Sequence, residues 1–381
     1  MWTTPDLSTI EQVKLLLMAG VTCFWFFAVG TVFGSFLNVV IYRMPRGLSV
    51  GGSSSHCPGC ERSIPWYDNV PILGYLRLKG RCQCRDNAIS PRYPLVETVV
   101  GLIVIALLIV ELLSGGANLP VRRPMGPSGV VWVIWSLQWD LIGTYFYHLA
   151  LLYVLLGLSL IDFDGFAPPW KWVCFGLAVG LIAPLAAPFL QMVPIRGGST
   201  NDLAGGVGVI DASARAVIGL AAGGVLGFVA AWPWRHERSM PNASAHLVWA
   251  LALAGLFLGW QSAFSIALAA SMLLLILRRA SLDEPDWAKI PPSIVVWVLV
   301  FVQILCWRGL ASSTVWPGPS AISPALVASL VTLLGTTWLA SRIRLPESPT
   351  NDERPGWPAA SPLVEIRPMP EANDVSRDAI P

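Results

Sequence analysis

The sequence predicts an all-α polytopic membrane protein of about 8–9 transmembrane helices with a small Cys-rich loop domain. Three observations predict it. Hydrophobic residues make up 54% of the 381, charged residues only 13%, and the mean hydropathy is +0.61. A soluble globular domain carries about twice that charged fraction. Apolar runs close to the ~20 residues that cross a bilayer as a helix recur along the chain. Between the first two runs sits one basic loop that holds four of the seven cysteines.

The runs fall at 15–42, 94–113, 145–161, 170–193, 214–231, 246–260, 261–277, 294–307 and 324–340. The first lacks a small-residue cleavage site and exceeds a signal-peptide core, so residues 1–42 read as a retained helix. Residues 43–93 form the Cys-rich loop, with Cys57, Cys60, Cys82 and Cys84. Residues 94–280 hold the central spans, the sixth and seventh meeting at Gly259-Trp260, and 281–345 add further spans. Val130 to Trp139 is apolar but too short to span, and its tryptophans fit an interfacial segment. From Pro346 the chain turns acidic and proline-rich with no apolar face, the composition of a disordered tail. Cys23, Cys174 and Cys306 lie inside apolar runs and read as packing residues. There is no convincing internal repeat, which gives a transporter little support.

Basic residues in short loops set the orientation. The Cys-bearing loop has eight, from Arg43 to Arg92, against Glu61, Asp68 and Asp86. Alternating spans then put Arg235/Arg238, Arg278/Arg279 and Arg342/Arg344 on the same side, with Arg122 and Arg123 the minor exception. The expected topology is a bacterial inner membrane protein with its N-terminus outside and its Cys-rich loop and C-terminal tail in the cytoplasm. The net charge of +2 is too small to suggest a nucleic-acid partner.

Two Cys pairs a couple of dozen residues apart match a structural zinc site, although the second pair is Cys-x-Cys rather than Cys-x2-Cys. Reduced thiols or a disulfide are the alternatives, and a reducing cytoplasm argues against the disulfide. Asp162 and Asp164 end the third span in LSLIDFDGFAPP. Acids at that depth are costly and either do proton chemistry with a second carboxylate nearby or form a solvated helix end. Glu97 reads as a first-turn acid favoured by the helix dipole. Glu111, near the outer end of the same run, reads as a snorkelling side chain without a role. His246 opens the sixth span as a ligand, a proton carrier or polar decoration. Asp211 reads as an N-cap or first-turn acid of the fifth span; Asp202 falls in the same outer connection.

GTVFGSFLNVVIYRMPRG, HCPGC, NVPILGYLRLKGRC and ISPRYPLVE resemble bacterial type IV prepilin peptidases, a family of intramembrane aspartyl peptidases that are both leader peptidase and N-methyltransferase. The likeness runs from about Gly30 to Gly101. It implies prepilin or type II secretion pseudopilin precursors as substrates, S-adenosylmethionine as methyl donor, and zinc on Cys57, Cys60, Cys82 and Cys84. The fourth cysteine is out of register, because the family position falls on Arg85. LIDFDGFAPP resembles the segment of the first catalytic aspartate, at Asp162. LALAGLFLGW resembles the helix after the second, and ungapped counting puts that aspartate at Leu247, the preceding glycine at His246 and a following lysine at Trp249. Leucine transfers no proton. The resemblance therefore implies an endopeptidase that uses Asp162 with His246 or Asp164 in place of the missing acid, or with Asp211 brought close by the fold. The alternative is a proteolytically inactive membrane module that binds pilin-like helices or assembles with secretion components.

Overall fold

The computed structural model describes residues 9–51, 63–84, 88–120, 137–193, 208–235, 237, 240–313, 316–317 and 324–343. The tail from position 346, the first two loop cysteines, Asp202 and most of the 130–139 segment lie outside them.

The apolar runs become helices at all nine expected positions. α1 (Thr9–Arg43) precedes the loop, in which α2 (Leu73–Leu78) is a short turn of helix. α3 (Arg92–Leu107) continues as a π-helical turn, Leu108–Leu113. α4 (Trp139–Phe163), α5 (Trp170–Ala186), α6 (Val209–Ala230), α7 (Ala243–Leu258), α8 (Trp260–Ala280), α9 (Pro292–Leu305), the short α10 (Trp307–Ala311) and α11 (Pro324–Arg342) follow. Among the described residues, five helical stretches are long and apolar enough to cross a membrane: those built on α1, α3, α4, α6 and α8. The other four apolar helices are shorter. α5 stops at Ala186 rather than 193 because Pro188 cannot continue it. α9 breaks at Cys306 before α10 turns away. Between α7 and α8 the chain reverses on Gly259 at φ 86°, a backbone state that glycine adopts without a Cβ penalty.

The helices alternate in direction. The loop end of the bundle gathers the end of α1, the starts of α3, α5, α7 and α9, and the ends of α4, α6, α8 and α11. In lipid, apolar surface gives helices no reason to associate, so close backbone packing must supply it. Two glycine rows do this. Gly30 and Gly34 of α1 meet Gly101 and Glu97 of α3, where an added Cβ would lie 2.8 and 2.6 Å from the facing Cα atoms. Gly219, Gly223 and Gly227 of α6 lie against Gly255, Leu251 and Val248 of α7. Arg278 ties α11 to the bundle: it donates to Ile343 O at 2.8 and 3.1 Å, pairs with Glu237 and stacks on Trp234.

Candidate functional site

The last turn of α4 delivers Asp162 to the loop end, and Gly165 at φ 77° turns the chain back beneath it. Asp162 is buried. Its Oδ2 accepts a hydrogen bond from Ser293 Oγ at 2.6 Å, and the Ser293 amide donates to the same carboxylate. Ser293 follows Pro291 and Pro292 in the first turn of α9, where helix amides have no internal acceptor. Asp162 thus caps a helix 131 residues away.

His246 sits in the first turn of α7 and is fully buried. A carbonyl can only accept, so Nε2–H donates to Phe166 O at 2.9 Å, while the buried Nδ1 has no hydrogen-bond partner. The imidazole also lies near enough to act electrostatically on Asp162. Asn242 Nδ2 donates to Gly165 O at 2.8 Å, so α7 grips the 165–166 turn twice. Arg46, just beyond α1, covers that turn by stacking on Phe166 at 4.5 Å.

Asp164 is not a free second acid. Arg92 at the start of α3 binds its Oδ1 and also donates to Leu160 O at 3.1 Å. A carboxylate committed to a guanidinium at the start of α3 holds two helices together. Leu247, the position that the resemblance gives to the second aspartate, is fully buried in the core. Asp211 is a first-turn acid of α6, ion-paired with Arg215 at the opposite end of the bundle from Asp162. It does not join the site.

Two other acids take unexpected roles. Glu97 lies in the second turn of α3, buried, where its Oε2 accepts the Ile72 amide at 2.7 Å and Ser35 also bonds to it. Ile72 has φ 60°, an outlier for a β-branched residue, at the start of α2. Glu111 does not snorkel. The π turn aims it inward, where it and His148 are both fully buried and joined at 2.6 Å.

Of the four cysteines, Cys57 and Cys60 lie outside the described residues. Cys82 and Cys84 sit half-buried just after Arg81, which bridges to Ala88, and between them Gln83 Nε2 donates to Asp68 at 2.5 Å. Sequence reasoning missed Ser293, Asn242 and Arg92 as partners of the site. Their only signals are Pro-Pro before Ser293 and the position of Arg92 at a span entrance.

A family model for the Bacterial Peptidase A24 N-terminal domain matches residues 28–111. The chain is 29% identical over 298 residues to the prepilin leader peptidase/N-methyltransferase of Myxococcus xanthus (strain DK1622), covering 74% of each. It is 26% identical over 302 residues to the protein of the same name from Pectobacterium carotovorum subsp. carotovorum, covering 72% of this chain and 90% of the relative. Against the Klebsiella pneumoniae protein of that name identity rises to 48%, over 81 residues that make up 20% of this chain and 36% of the relative. No solved structure matches.

Proposed function

Because the chain belongs to the prepilin peptidase family, we propose that it is an inner-membrane protein that engages prepilin-type precursors at the cytoplasmic face without cleaving them. A single observation carries this. Asp162, to which the resemblance gives the part of the first catalytic aspartate, caps α9 through Ser293, and Leu247 stands where the same resemblance expects the second. Peptide hydrolysis needs one group to take a proton from water and another to give one to the scissile amide. Groups that act as a unit lose orders of magnitude in rate when one is removed. Asp164 is tied to Arg92 and does not replace the missing acid.

A second reading has its own observation. Nδ1 of His246 is buried without a hydrogen-bond partner, and the ring lies near enough to Asp162 to act on it electrostatically, so the two side chains would divide the acid and base roles of hydrolysis. The two readings separate in one assay. The protein in lipid vesicles is given a prepilin-type peptide, a basic leader followed by an apolar helix, and both binding and cleavage are followed. Binding without cleavage supports the first reading. Cleavage lost in both Asp162→Ala and His246→Ala sinks it and supports the second.

The same family reading gives Cys57, Cys60, Cys82 and Cys84 to one structural zinc ion. Thiols suit it, and the Arg81–Ala88 bridge and the Gln83–Asp68 hydrogen bond anchor the segment that carries Cys82 and Cys84, half of a four-thiolate shell. Bound there, the metal would crosslink the two halves of the loop. Metal analysis of the purified protein should find about one zinc per chain, reduced in Cys82→Ser; a folded, metal-free wild-type protein would refute the site.

A further inference from the structure

We propose that the segment 66–78 of the Cys-rich loop is an interfacial foot that dips into the headgroup layer of the bilayer at the loop end. Trp66 is 81% exposed and Leu73 and Leu76 are each 62% exposed, an unusual display of apolar surface on a turn of helix inside a polar loop.

Depth argues for lipid as the occupant. The Ile72 amide is bonded to Glu97, five residues into α3, and five residues of helix rise about 7.5 Å. The headgroup region is about 5–8 Å thick on each side of the hydrocarbon core. With the charge of Arg92 taken to mark the aqueous edge, the start of α2 lies near the acyl boundary, within one helical turn of Leu95 of α3, which is itself 62% exposed. At that level the neighbour is the bilayer.

Two further features fit that occupant. Tryptophan favours the interface, where its ring is apolar and its N–H wet. Lys79 and Arg81 are exposed beside the apolar residues and offer cations to anionic headgroups, while the exposed Arg77 reaches Asp68 at 3.6 Å and lies over the Tyr67 ring. The segment is fixed rather than free to swing. Glu97 holds the positive-φ turn at Ile72, Gly74 packs under Asp68 with no room for a Cβ, and Gln83 clamps Asp68.

The test uses the full chain in phosphatidylcholine–phosphatidylglycerol vesicles doped with a phospholipid that carries a diazirine near its glycerol backbone. After irradiation, adducts are mapped by mass spectrometry. The expected result is adducts within 66–78 at a yield similar to that around Leu95. In Glu97→Ala the yield within 66–78 should fall several-fold while that around Leu95 stays. Labelling around Leu95 with none in 66–78 of the wild-type protein overturns the proposal. So do adducts that vanish when a saturating prepilin-type peptide is added, which would assign the surface to the precursor.

Discussion

Glu111 and His148 form the most consequential residue pair outside the candidate site. Both are fully buried, and the Glu111 Oε2 and His148 Nε2 atoms have no further hydrogen bond, so each residue depends on the other. The Trp307 ring lies 5.6 Å from the imidazole, tilted by 49°, and closes that side. Breaking a buried pair by deleting one partner typically costs about 3–5 kcal/mol, because the surviving polar group stays buried alone. His148→Ala should therefore lower the thermal unfolding midpoint in detergent sharply. Adding Glu111→Ala should recover part of the loss, since the orphan is then gone. Equal or additive losses would show that the two residues act independently. At this scale the sequence revealed positions along helices but not the faces they present. Glu111 read as a snorkelling end residue because an α-helix was assumed, and the π turn rotates it inward. Asp162 was legible because it directly follows an apolar run. Its cap on Ser293 was not, because no local pattern links positions 131 residues apart.

Elements were more legible, since a helix in lipid must satisfy its own backbone and so declares itself as a long apolar run. All nine expected runs became helices. Their ends were less clear where a proline or a kink intervened, as in α5 and α9. Which helices pair was not read from the sequence, although the small residues that decide it are plain in it. Gly219, Gly223 and Gly227 recur every four residues on α6 and press against the α7 backbone. A Cβ at Gly219 would lie 2.0 Å from Gly255 O, and at Gly223 2.2 Å from Leu251 O, both backbone atoms that cannot step aside alone. Gly223→Ala should cost about 1–3 kcal/mol through overpacking. Gly224→Ala next to it meets nothing within 4 Å, and is expected to be neutral or slightly stabilising because alanine favours the helix. Unfolding midpoints of the two variants check this. Equal effects would mean that the α6–α7 seam is looser than its geometry.

At the scale of the whole molecule, charge sorts by end. Of the fifteen Lys and Arg among the described residues, twelve lie at the loop end, and only Lys14, Arg215 and Arg308 lie toward the other. Two of those three are engaged by protein groups: Arg215 by Asp211 and Gln191 O, and Arg308 by Gly116 O. The alternation of helices is what turns clusters scattered along the sequence into one basic face, and so makes the orientation a physical expectation. The loop end should face the cytoplasm. Green fluorescent protein fused after Leu345 should then fluoresce, and alkaline phosphatase fused there should be inactive, whereas the phosphatase inserted between 121 and 136 should be active. The reverse pattern would put Asp162 and the cysteine loop outside. That would remove the basis for precursor engagement at the cytoplasmic face, whatever the chemistry of Asp162, and would expose the loop thiols to an oxidising compartment where disulfides rather than zinc are expected. Orientation therefore precedes catalysis as the experiment on which the functional reading depends.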